Sequence, residues 1–80
     1  MFAKILTHDG HTRQFTIRDA GAAGWEVLEQ QDDRVTRDVH YTDWHRVERA
    51  LAGFELEVAL LERDGWTTEQ AEAGVAATSV

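Results

Sequence analysis

The sequence predicts an α+β domain in which a four-stranded antiparallel meander is followed by one long C-terminal helix. Short segments rich in apolar residues, separated by turn-forming residues, fall at 2–7, 12–18, 25–30 and 34–41. After these segments, apolar residues recur at steps of three and four from 42 to 65, which is the spacing of an amphipathic α-helix. Because the chain contains no proline, nothing interrupts either pattern.

The first two strands are predicted to form a hairpin. Asp9-Gly10 lies between them, and this dipeptide favours the positive φ angles of a tight two-residue turn. In the second strand, Phe15 and Ile17 share one face because side chains alternate along a strand. The small-residue loop 19–24 leads into another strand, so it lacks the helix N-terminus that a phosphate-binding loop requires.

The third and fourth strands are predicted to pair around a turn at residues 31–33. Trp25 and Val27 share one face of the third strand, and Val35, Val39 and Tyr41 share one parity of the fourth. One register would bring the two sets together, although the length of the turn decides it. That register opposes Trp25 to Tyr41, Val27 to Val39 and Glu29 to Arg37.

The predicted helix has signals at both ends. Thr42 suits the N-cap position, and Asp43 places a negative charge in the first turn. Gly65 suits the left-handed position after the last turn, where a Schellman closure would bring Trp66 against Leu61. One face of the helix carries the main apolar stripe, which consists of Trp44, Val47, Leu51, Phe54, Val58 and Leu61.

The second half of the helix carries another apolar face. At about 100° per residue, Leu56 lies roughly opposite the main stripe. A chain of this length buries only about 60% of its unfolded surface, and without cysteine it has no disulfide to compensate. We therefore predict a two-fold symmetric homodimer with an interface formed by Ala52, Leu56, Ala59 and Leu60.

The chain is predicted to contain one domain, residues 1–66, followed by a flexible tail at 67–80. Residues 74–80 lack large side chains for a core. The apolar stretch at the N-terminus is too short for a signal peptide, and no apolar run approaches the roughly 20 residues of a membrane span. Together with the absence of cysteine, these features favour a location in the cytoplasm.

The net charge of −7 disfavours non-specific binding to duplex DNA, which depends on neutralising phosphates. The charge is uneven: residues 1–42 carry five basic and seven acidic side chains, and residues 43–80 carry three and eight. A locally basic face of the sheet is therefore compatible with the composition. Lys4, Arg18 and Arg34 are the candidate nucleic-acid contacts on that face, and an ordinary solvated face is the alternative.

Two groups of residues that contain histidine are candidates for chemistry. His8, Asp9 and His11 could hold a metal ion at the hairpin tip, although an exposed turn explains them as well. Asp38, His40, Asp43 and His45 could form an acid–base cluster at the junction of the fourth strand and the helix, or they could cap backbone groups or face water. With no cysteine and a single serine at position 79, the sequence offers no convincing nucleophile. We expect no catalytic residues and no cofactor.

Two runs of the sequence, 24–29 (GWEVLE) and 41–50 (YTDWHRVERA), resemble a small family of bacterial proteins with no assigned mechanism. The resemblance covers about residues 13–66 and implies no active residues. The order of four strands and a helix also resembles the coactivator-type and whirly single-stranded-DNA-binding proteins. Those proteins assemble through their helices and bind nucleic acid on their sheets, and here the resemblance concerns architecture alone.

These observations predict a non-enzymatic binding or interaction module that dimerises through its helix and does not associate with a membrane. A protein partner is compatible with this prediction. Binding of single-stranded nucleic acid on the open face of the sheet is the first alternative. A small metal-dependent enzyme using His8, Asp9 and His11 is the second.

Overall fold

A computed structural model of the protein describes residues 2–70, which form one antiparallel sheet with a helix packed against one face. The elements are β1 (Phe2–His8), β2 (His11–Asp19), a short 3-10 helix (Gly21–Ala23), β3 (Trp25–Gln31), β4 (Arg34–Tyr41), α1 (Trp44–Arg63) and β5 (Thr67–Gln70). The strands lie in the order β4-β3-β2-β1-β5, so four consecutive strands form a meander and β5 adds to its far edge. No helix in this part of the chain is both long and apolar enough to span a membrane.

The predicted β1–β2 hairpin is confirmed. His8 and His11 close it, and both turn residues have positive φ, 51° at Asp9 and 80° at Gly10. Aspartate tolerates this region better than most residues, and glycine adopts it at little cost. The Asp-Gly pair therefore fixes the register of the first two strands.

The predicted register of β3 and β4 is also confirmed at all three pairs. Beyond Glu29 the register shifts, because Gln30 opposes Val35 and Thr36 is the extra residue of a bulge. The Thr36 hydroxyl donates a hydrogen bond of 3.2 Å to the Glu29 carbonyl at this point. As a result, Val35 lies on the face of the sheet away from the helix.

The prediction of four strands followed by a tail from residue 67 is wrong at residues 67–70. These residues form β5, which pairs antiparallel with β1 from Thr67 opposite Thr7 to Gln70 opposite Lys4. The segment carries no apolar alternation, and its conformation follows from the free edge of β1 beside it. The rest of the predicted tail, residues 71–80, lies outside the described residues.

Both ends of α1 are capped by local hydrogen bonds. The N-cap is Asp43 rather than the predicted Thr42, and its carboxylate accepts from the His45 amide at 3.0 Å. At the other end, the Trp66 amide donates to the Leu61 carbonyl at 3.0 Å, and Gly65 has φ 101°. This hydrogen bond is the Schellman closure that the sequence predicts.

The core lies between α1 and the helix-facing side of the sheet. Phe54 is at its centre, with ring centroids 5.0 Å from Phe15 and 6.1 Å from Phe2. Of the predicted helix stripe, Trp44 is 40% exposed and packs beside Trp25 at the margin, with ring centroids 5.3 Å apart. The buried residues are Leu6, Phe15, Ile17, Val27, Val47, Ala50, Phe54, Val58 and Leu61.

Candidate functional site

A crevice of about 440 Å³ lies between the β3–β4 edge of the sheet and one side of α1. It is half open to solvent and has both charged and aromatic walls. The lining residues are Glu29, Arg37, Tyr41, Arg46, Arg49, Ala50, Gly53, Phe54 and Glu57. We refer to it as the arginine crevice, because three of the chain's eight basic residues line it.

The sheet contributes Arg37 to the crevice. Arg37 shares the strand parity of Val39 and Tyr41, so it lies on the helix-facing side of β4. Its Nη2 donates to the Tyr41 hydroxyl at 3.3 Å, and its guanidinium carbon lies 5.9 Å from the centre of the Phe54 ring. These two aromatic residues hold the guanidinium in the wall of the crevice.

The helix contributes Arg46 and Arg49, which are three positions apart and therefore project from the same side of α1. Within residues 2–70, no carboxylate oxygen lies within 4.0 Å of a guanidinium nitrogen of Arg37, Arg46 or Arg49. The three positive charges therefore remain available to a ligand.

The two carboxylates of the crevice are already paired. Arg13, which reaches across from β2, places Nη2 at 3.2 Å from both Glu29 and Glu57 and thereby links the sheet to the helix. The Arg13 side chain is mostly buried, and its Nε has no hydrogen-bond partner among the described residues. Four guanidinium groups thus stand against two carboxylates, and the crevice is locally positive in a chain with net charge −7.

This arrangement suits an oxyanion ligand. Guanidinium groups are planar, remain charged at any physiological pH and match carboxylate and phosphate oxygens in pairs of hydrogen bonds. The Tyr41 ring and the buried Phe54 give the same crevice an apolar surface that a ring of the ligand can contact.

The three predicted nucleic-acid contacts do not form one surface. Arg18 lies on the open face of the sheet, where Nη2 pairs with Glu26 at 2.6 Å. Lys4 shares the strand parity of the buried Leu6 and therefore lies on the helix-facing side of β1. Arg34 opposes Gln31 at the turn between β3 and β4. The sequence prediction that grouped them is wrong, because it did not fix which parity of β1 faces the helix.

The three predicted metal ligands at the hairpin tip do not converge on one point, although His8 Nε2 lies 3.4 Å from Asp9 Oδ2. The ring of His8 lies against Trp66, with centroids 5.5 Å apart. His11 points to Asp32, with Nδ1 3.4 Å from Oδ2. Among residues 2–70, the one group of three or more metal-ligand side chains with all ligand atoms within 4.8 Å of one another lies elsewhere, on the open face of the sheet.

The four predicted interface residues are all exposed in the single chain. Leu56 is 62% exposed and Leu60 is 47% exposed, on the side of α1 that faces away from the sheet. Ala52 and Ala59 are exposed beside them. Such exposure is what an interface requires before it is covered, and the homodimer stays a prediction.

The sequence patterns do not predict the arginine crevice, although two parts of its signal are visible in them. Arg37 lies among apolar residues of the inward parity, and Arg46 and Arg49 flank the start of the apolar helix stripe. The packing of this side of α1 against β4, which brings these residues together, has no pattern in the sequence.

Comparison of the chain with protein-family models, with curated proteins and with solved structures found no match.

Proposed function

We propose that the chain is a small non-enzymatic binding module of the bacterial cytoplasm that takes an anionic ligand in the arginine crevice. The observation that carries this proposal is the convergence of Arg37, Arg46 and Arg49, without carboxylate partners in residues 2–70, on one half-open crevice. The ligand class is a small molecule with a carboxylate or phosphate group and an apolar or aromatic part.

The same lining supports binding rather than catalysis. It contains no serine, cysteine, histidine or lysine, and its two carboxylates are held by Arg13. A general base or nucleophile would need a group that is free to accept a proton or attack. Recognition by charge and shape is therefore the role that fits these side chains.

The test is a calorimetric titration at low salt with three oxyanion probes: inorganic phosphate, citrate and adenosine monophosphate. We expect saturable 1:1 binding of at least one probe. Arg49→Gln should weaken it at least tenfold, because a hydrogen bond to a charged group contributes about 1.5–3 kcal/mol.

Arg63→Gln is the matched control, since it removes one charge from the same helix outside the crevice. If no probe binds, or if Arg63→Gln and Arg49→Gln weaken binding equally, the crevice is not the site. The same titration with a single-stranded oligonucleotide addresses the alternative function. Binding that is lost in Arg18→Gln and kept in Arg49→Gln would favour the sheet face.

A specific observation also favours a homodimer formed through α1. Two large apolar side chains, Leu56 and Leu60, are exposed on one face of the helix, with the small residues Ala52 and Ala59 beside them. Small residues allow two helix backbones to approach closely, and a two-fold axis would bury the same patch twice. The mass in solution checks this assembly.

A further inference from the structure

We propose that Glu26, Asp38 and His40 form a binding site for a divalent transition-metal ion such as zinc. The three side chains lie on the open face of the sheet, and their ligand atoms are all within 4.8 Å of one another. The site is independent of the arginine crevice, which lies on the opposite, helix-facing side.

Strand pairing sets this geometry. Glu26 on β3 directly opposes His40 on β4, and Asp38 precedes His40 by two positions and so shares its face. Side chains directly opposed on neighbouring strands have Cβ atoms about 4.5–5.5 Å apart, which is close enough to share one ion. The ligands are thus fixed by the register rather than by a mobile loop.

The donor set indicates the class of ion. Imidazole suits zinc and its neighbours in the first transition row, whereas two carboxylates alone would suit magnesium, calcium or manganese. Zinc binds these donors at about 2.0–2.2 Å, so tetrahedral ligands lie about 3.4 Å apart, and ligand atoms within 4.8 Å of one another reach this spacing by small side-chain movements. Asp38 and His40 are exposed and free to make this adjustment.

Arg18 competes with an ion for Glu26, because it opposes Glu26 on the neighbouring strand and donates to its carboxylate through Nε at 2.6 Å. The Arg18 side chain is largely exposed, so it can swing away when an ion binds.

Zinc chloride titrated into the full chain at pH 7.5 should give 1:1 binding by calorimetry and a higher melting temperature, since the ion stabilises the folded state. His40→Ala and Glu26→Gln should each weaken binding by tenfold or more. Arg18→Ala should tighten it, because the competing guanidinium is gone. Magnesium and calcium should bind far more weakly than zinc.

His45→Ala and His11→Ala are the matched controls, because each removes an exposed histidine outside the site and should leave the affinity unchanged. Circular dichroism of each variant establishes that it is folded. The proposal is overturned if zinc does not bind up to millimolar concentration, if His40→Ala binds it as well as the wild type, or if His11→Ala abolishes binding.

Discussion

Gly24 is a residue whose role becomes visible only in the folded chain. It has φ 97°, and a Cβ placed on it would collide with the carbonyl oxygen of Tyr41, where the backbone of β4 passes close by. The sequence shows this position only as the end of a small-residue loop. Its requirement for glycine comes from the approach of a strand that lies 17 positions later.

Gly24→Ala should therefore lower the free energy of unfolding. Backbone strain alone costs about 1–3 kcal/mol, and the collision with the Tyr41 carbonyl adds to this cost. Urea denaturation followed by tryptophan fluorescence measures the effect. Gly53→Ala is the control: it lies in the helix with open space around it and should be neutral or raise stability by about 0.5–1 kcal/mol. Equal stability of the Gly24→Ala protein and the wild type would show that the backbone there is not constrained.

Asp32 joins the turn between β3 and β4 to the start of β2. Its carboxylate accepts from the Thr12 amide at 3.0 Å, and its own amide donates to the Thr12 carbonyl at 2.7 Å. The Thr12 hydrogen bond, and to a lesser extent His11 and Arg34, lower the pKa of Asp32, while desolvation opposes them.

Because this pKa is lowered, the charged carboxylate stabilises the fold above the ordinary aspartate range and loses this effect as the pH falls through the folded value. Asp32→Asn should therefore be less stable than the wild type at pH 6, and the difference should shrink below about pH 4. Thermal melts across this range measure it, with Asp33→Asn as the neighbouring control. A difference that is constant with pH would contradict the assignment.

At the scale of elements, the start of α1 offers two neighbouring residues that could cap the helix, and the structure uses one of them. Thr42 and Asp43 are both good capping residues. Only Asp43 has the extended backbone of an N-cap with its side chain hydrogen-bonded to the His45 amide. A shift of one position along the chain decides which side chain reaches the free amides, and the stronger N-cap preference of aspartate over threonine agrees with the cap that the structure has.

Asp43→Ala should cost about 1 kcal/mol of stability, because it leaves a helix-end amide without its partner. Thr42→Ala should cost little, since Thr42 makes no side-chain hydrogen bond within the described residues. Chemical denaturation of the two variants compares them directly. A larger loss of stability in Thr42→Ala than in Asp43→Ala would show that Thr42 is the N-cap residue.

The strands show why some elements were predictable and others were not. The β3–β4 register follows from parity, because only one alignment places Trp25 and Val27 against apolar partners. The bulge at Thr36 and the strand β5 have no such signal: one is a local insertion, and the other is a polar segment ordered by its neighbour. The arginine crevice likewise could not be predicted from the sequence, because it depends on how the helix packs against the sheet.

At the scale of the whole molecule, we expect the exposed face of α1 to bind a second copy of the chain. The wild type should have a mass in solution of twice the 9.1 kDa chain at micromolar concentration. Leu56→Glu should give monomers, because it would place a charge inside the paired helices. Light scattering coupled to size exclusion measures both.

Val35→Glu is the matched control, since Val35 is 52% exposed but lies on the opposite face of the molecule. It should remain dimeric if the helix carries the interface. A wild type with the mass of one chain, or a Leu56→Glu variant with the mass of two, would contradict the proposed assembly.

The position of β5 at the far edge also has a consequence for the order of folding. The other strand pairs join neighbours in sequence, whereas β5 meets β1 through residues such as Thr7 and Glu69, which are 62 positions apart. Closing a long loop costs more entropy than closing a hairpin. Once α1 has docked, however, β5 follows it after only residues 64–66 and needs almost no further search. Loosening the helix would therefore release the fifth strand as well, although none of that strand's own hydrogen bonds had been altered.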